Sequence, residues 1–110
     1  MDIMLGEVQE TMEWLSSISD AKGPGTTRLL YSPSWLKAQK ELKAKFEAIG
    51  MKCYFDAVGN LYATLVGTEE PERTIATGSH VDTVVKGGKL DGQLGIFGAY
   101  IAVKKLLETF

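Results

Sequence analysis

Residues 91–110 place the strongest constraint on how this chain can fold. Leu94, Ile96, Phe97, Ala99, Ile101, Ala102 and Val103 surround the first half of a helix predicted to start near Asp91 and run towards Phe110. A helix that is apolar all round has to be buried on more than one side. A chain of 110 residues can form one small domain with a core, but it holds too little other material to cover such a helix fully. The expectation is that a larger protein covers this helix or that the chain self-associates through it.

The remaining elements follow from periodicity. Met4, Leu5, Val8, Met12, Leu15 and Ile18 recur at helical spacing and predict a helix over residues 3–18, broken by Gly23-Pro24-Gly25. A second helix is predicted from Ser32-Pro33, with Ser32 as cap and proline at the first position. Trp35, Leu42, Phe46 and Ile49 mark its face, and Gly50 ends it. From Lys52 the period changes. Residues 52–58 and 61–66 read as a hairpin with Gly59-Asn60 between them. Residues 67–73 form a polar turn, 74–83 a buried strand and 84–90 a glycine-containing loop. Two helices, then strands, then a helix indicate an α/β layered domain, with helices packed on a mixed β-sheet.

Charge and cysteine content narrow the partners. The net charge is −2, with 12 basic and 14 acidic residues mixed along the sequence, so no basic face for nucleic acid is expected. One cysteine, Cys53, excludes a disulfide within the chain. The start, Met1 to Glu7, lacks the basic and long apolar parts of an export signal, and no segment approaches the roughly 20 apolar residues of a membrane span. The expected setting is cytoplasmic, without membrane contact.

Chemistry concentrates in Gly78-Ser79-His80-Val81-Asp82-Thr83-Val84 and Gly87-Gly88-Lys89-Leu90-Asp91-Gly92. On a strand, His80 and Asp82 would point to one face. A neutral imidazole can bind a divalent metal through one nitrogen while a carboxylate or backbone group fixes the other. Asp91 reads either as a helix N-cap or as a carboxylate presented to metal, and the two readings are compatible. A lone histidine near an aspartate is more often merely hydrogen-bonded. Other residues favour structural readings: Arg28 as a salt bridge or a donor to loop carbonyls, Asn60 as a turn residue, Trp14, Trp35 and Phe46 as core, and Cys53 as packing. Glu69-Glu70 reads as a solvated pair beside Pro71. Lys86-Gly87-Gly88-Lys89 lacks the order of a phosphate loop.

The chain also resembles a known family. Gly25-Thr26-Thr27-Arg28-Leu29-Leu30-Tyr31-Ser32, then Val58-Gly59-Asn60-Leu61-Tyr62, then Gly78 through Gly88 with Asp91-Gly92 behind, resemble the allantoate amidohydrolases and N-carbamoyl-L-amino-acid hydrolases, within the dinuclear metal exopeptidases. The resemblance implies a chain that is the N-terminal portion of a metallo-exopeptidase-like catalytic domain, with the rest of that domain and a lid or dimerisation domain beyond it. It implies two divalent metals, manganese or zinc. His80 would be a ligand of one, Asp91 would bridge both, Asp82 would be the catalytic-site acid supporting His80, and Gly92 would let the helix start pack closely. The implied reaction is hydrolysis of the ureido group of allantoate, releasing ammonia and carbon dioxide, in a homodimer acting on a small molecule. The segment Tyr31 to Leu36 leans towards allantoate over an N-carbamoyl amino acid; a peptidase or aminoacylase of the wider family is a further alternative. His80 is the only histidine, and the family's base and other ligands lie downstream. These 110 residues alone are therefore expected neither to turn over substrate nor to retain metal stably. The alternative from another class is a non-catalytic binding or assembly module.

Overall fold

The computed structural model describes residues 2–110, with side chains from Met4 onward. It contains helix α1 (Asp2–Ser17), helix α2 (Pro33–Ala48), strands β1 (Lys52–Phe55) and β2 (Leu61–Thr64), and helix α3 (Gln93–Thr109). The helices fall within a few residues of where periodicity predicts them.

Local chemistry explains the ends of α2. Ser32 Oγ accepts from Trp35 N at 3.2 Å and Pro33 occupies the first turn. At the other end Gly50 is left-handed, with φ 97°. Gly50 N donates to Glu47 O at 3.0 Å and Met51 N to Phe46 O at 3.1 Å, so two otherwise unpaired carbonyls are satisfied in a Schellman arrangement. Ser32→Ala is expected to lower stability by about 1 kcal/mol, read from the midpoint of urea unfolding. An unchanged midpoint would show that Trp35 N finds water instead.

β1 and β2 pair antiparallel, with Lys52 opposite Thr64 and Phe55 opposite Leu61. The connection is longer than the predicted Gly59-Asn60 turn. Asp56 Oδ1 accepts from Val58 N (3.1 Å) and Asn60 N (2.9 Å), and Asp56 Oδ2 from Asn60 Nδ2 (2.8 Å). These bonds withdraw residues 56–60 from the ladder. They also hold the Asp56 carboxyl below its ordinary pKa. Gly59 lies against Trp35, where an added Cβ would be 2.8 Å from the indole, and Gln39 Nε2 donates to Gly59 O at 2.6 Å. The hairpin is thereby seated on α2.

The core holds Leu15, Ile18, Ala38, Leu42, Val81 and Phe97, with Val8, Met12, Trp14, Trp35, Phe46, Leu61 and Ile96 packed around it. α3 turns Phe97, Tyr100 and Ile101 inward, while Leu94 and Leu106 remain exposed. Glu7 reaches Lys105 at 3.2 Å across α1 and α3, and Lys45 sits 4.6 Å over the Trp14 ring. No helix among the described residues is long and apolar enough to cross a membrane.

The predicted buried strand over 74–83 does not form. Residues 65–80 are all exposed, and only Val81 and Thr83 are buried. A strand needs a neighbour for its N–H and C=O groups, and among the described residues the only named sheet is β1–β2. The segment meets other backbone only at its end, where Thr83 N donates to Arg28 O at 2.8 Å. Just beyond it Thr26 and Gly87 form an isolated antiparallel bridge. The molecule is a thin slab, 47 × 39 × 19 Å. Its 7592 Å² of accessible surface exceeds the roughly 6,000 Å² expected of a compact monomer of this mass.

Candidate functional site

Burial alternates along residues 80–84. Val81 and Thr83 point inward, so His80, Asp82 and Val84 face out. Thr83 Oγ1 anchors the run: it accepts from Arg28 N and donates to Thr26 O, both at 2.8 Å. The outward face then carries the chemistry.

His80 Nδ1 lies 2.8 Å from Asp82 O and 3.4 Å from Asp82 Oδ1. A carbonyl oxygen only accepts, so the proton belongs on Nδ1. The other ring nitrogen, Nε2, lies 3.7 Å from Asp91 Oδ1. The structure therefore brings His80, Asp82 and Asp91 together, with the two carboxylates on opposite edges of the ring. They do not converge on one point, and no group of three or more potential metal donors occurs among the described residues. The side chains are 53% (His80), 42% (Asp82) and 61% (Asp91) exposed, so the pair opens to solvent.

Asp91 does no capping, which corrects the N-cap reading. The cap of α3 is Gly92, with φ 74° and no side-chain capping bond. The chain enters the helix through a left-handed residue, and that geometry leaves the Asp91 carboxylate free beside the imidazole. Gly92 is a spatial requirement as well. A Cβ there would stand 2.4 Å from His80 Cε1 and 2.6 Å from His80 O. One turn on, a Cβ at Gly95 would stand 2.6 Å from Ser79 Cβ.

Behind this surface lies Arg28, which is 0% exposed. Its Nε donates to Val81 O (2.8 Å), and Nη1 to Leu15 O and Ile18 O (both 2.7 Å). Nη2 donates to Gln93 Oε1. Arg28 thus serves loop and helix carbonyls and makes no ion pair among the described residues. Burial lowers its pKa to about 10, opposed by the charge of Asp82, so the guanidinium stays charged at neutral pH. Gln93 Nε2 in turn donates to Ser16 Oγ (3.0 Å) and Lys89 O (2.9 Å). Sequence reasoning missed Gln93. Its signal was a lone amide at the head of an otherwise apolar helix.

The other candidates stay structural. Cys53 Sγ lies 3.8 Å from Lys43 O, and burial raises its pKa. Glu70 faces Arg73 at 3.7 Å in an exposed turn.

No protein-family model matches the chain. It is 50% identical over 103 residues to an allantoate amidohydrolase of Escherichia coli, covering 94% of this chain and 25% of the relative. It is 38% identical over 102 residues to an N-carbamoyl-L-amino-acid amidohydrolase of Paenarthrobacter aurescens, covering 93% and 24%. Among solved structures, a hydantoinase/carbamoylase family amidase from Burkholderia ambifaria superimposes with a TM-score of 0.88 at 25% identity, over 94% of this chain and 25% of that one. The chain spans about a quarter of the length of the relatives it matches. In sequence and in fold, these 110 residues match about one quarter of the length of the allantoate and N-carbamoyl-L-amino-acid amidohydrolases.

Proposed function

We propose that the whole protein hydrolyses the ureido group of allantoate, releasing ammonia and carbon dioxide, with an N-carbamoyl-L-amino acid as the alternative substrate. The observation carrying this reading is the His80–Asp91 pair, set on a chain whose identity is higher to an allantoate amidohydrolase (50%) than to a carbamoyl-amino-acid amidohydrolase (38%).

His80 Nε2 and Asp91 are proposed as ligands of a divalent metal. Their 3.7 Å separation is close to the roughly 3.4 Å between two donors about 2.1 Å from one tetrahedral ion. Asp91 is free to take a bridging role, and manganese or zinc would suit this N/O set. When bound, such ions polarise a carbonyl and lower the pKa of water. The chain's own residues prepare for that. Asp82, through its carbonyl and carboxylate, holds the Nδ1 proton and so fixes the tautomer that presents Nε2 outward. Gly92 lets the helix start close against the ring. Two ligands are an incomplete set. The general base and remaining ligands are proposed to lie in the three quarters of the family's length without a counterpart here, as is the lid or dimerisation domain. A cytoplasmic homodimer completes the reading.

The test is ammonia release by the full-length protein loaded with manganese, offered allantoate and an N-carbamoyl-L-amino acid in parallel, with the 110-residue chain beside it. Faster turnover of allantoate and none from the short chain are expected. His80→Ala should cost more than about 100-fold, since even residues behind a ligand cost 10–100-fold. Preference for the carbamoyl amino acid moves the protein to the other branch. Full activity of His80→Ala would overturn the site.

A further inference from the structure

His80 and Asp91 come from two separate segments, an unpaired run and the entry to α3, so something has to fix the distance between them. We propose that Arg28, working with Gln93, is the positioning residue that does so. Nε and Nη2 form one edge of the planar guanidinium. That edge takes one acceptor from each segment: Val81 O, one residue after His80, and Gln93 Oε1, two residues after Asp91. The other nitrogen, Nη1, binds Leu15 O and Ile18 O at the end of α1. Gln93 then passes the constraint back to the loop through Lys89 O, two residues before Asp91. A rigid fork spanning two segments sets both spacing and angle. A lysine ammonium, a point charge on a flexible stem, cannot hold two acceptors in one plane. The position of this cation also argues for a positioning role. A buried charge without a carboxylate partner is costly, and an apolar side chain could fill the same volume.

This inference rests on the reading of His80 and Asp91 as metal ligands, so its test begins with a readout that needs no metal. His80 is the only histidine, which makes its ring signals unambiguous in NMR spectra. Gly92 abuts His80 Cε1, so a nuclear Overhauser contact is expected between the His80 Hε1 and Gly92 Hα protons of the 110-residue chain. Three variants are compared with the unaltered chain. Arg28→Lys keeps the charge and loses the fork. Gln93→Met cuts the bridge at α3. Gln93→Glu keeps the acceptor for Arg28 and gives up the bond to Lys89 O, and so isolates the contribution of the fork itself. The His80–Gly92 contact should fall by at least half in Arg28→Lys and Gln93→Met and persist in Gln93→Glu, while contacts between Phe97 and Leu15 remain in all. In the full-length protein, zinc affinity measured by competition with a chelator should weaken about tenfold in the first two variants. An unchanged His80–Gly92 contact in folded Arg28→Lys and Gln93→Met overturns the proposal. So does loss of that contact only together with the Phe97–Leu15 contacts, which reduces the pair to holding the fold. If the contact behaves as expected but full-length His80→Ala holds zinc as tightly as the unaltered protein, it is the ligand reading that fails.

Discussion

Gly92→Ala is expected to lower turnover by the full-length protein by about two orders of magnitude, the effect of a misplacement near 1 Å at a reacting site. Two independent penalties act at this position. The backbone is left-handed, φ 74°, which costs an L-residue about 1–2 kcal/mol. The new Cβ would also overlap the His80 ring and carbonyl, at 2.4–2.6 Å. Neither the ring nor the helix start can yield without separating Nε2 from Asp91. Gly98→Ala is the natural control, because nothing lies within 4 Å of a Cβ there. In a helix interior that change should be neutral or stabilising by up to about 1 kcal/mol. Turnover and His80 ring signals of the two variants should diverge. If Gly92→Ala kept both, the close packing of helix and imidazole would be irrelevant to the site.

The second large effect is on stability. Phe97 is 0% exposed and joins the cluster with Leu15, Ile18, Ala38, Leu42 and Val81. It is the side chain by which α3 enters the core, one helical turn after Gln93. Phe97→Ala should cost about 3–5 kcal/mol, set against a total of roughly 5–15 kcal/mol for a typical domain. The midpoint of thermal unfolding by circular dichroism should fall by about 12 °C or more, and Phe97→Leu by much less. A drop under about 4 °C would mean that α3 is held by its ion pairs to α1 rather than by its apolar face.

What could be read from the sequence follows from how local its causes are. The helix α2 is fully specified by neighbours within a turn: Ser32, Pro33, the Trp35 to Ile49 face and Gly50. The grouping of His80, Asp82 and Asp91 was legible too, since alternation along 80–84 and a short loop suffice to bring them together. Residues 74–80 were misjudged because a strand depends on a partner, and none lies beside them here. The Asp91 cap was misjudged because the choice between Asp91 and Gly92 turns on a positive φ, and Gly92 carried that signal beside a better-known capping residue. Gln93 was invisible for another reason. Its importance comes from Arg28, 65 positions away, and no local pattern encodes that meeting.

The thin shape of the molecule carries a calorimetric consequence. Unfolding changes heat capacity in proportion to the apolar surface newly hydrated, and a slab 19 Å thick with Leu94, Leu106 and Ile75 already in water has less of it to reveal. The heat-capacity increment should fall below the roughly 1.2–1.5 kcal/mol/K per hundred residues of ordinary domains. The free energy of these 110 residues would then vary gently with temperature, with a shallow dome and a maximum that is low rather than sharply placed.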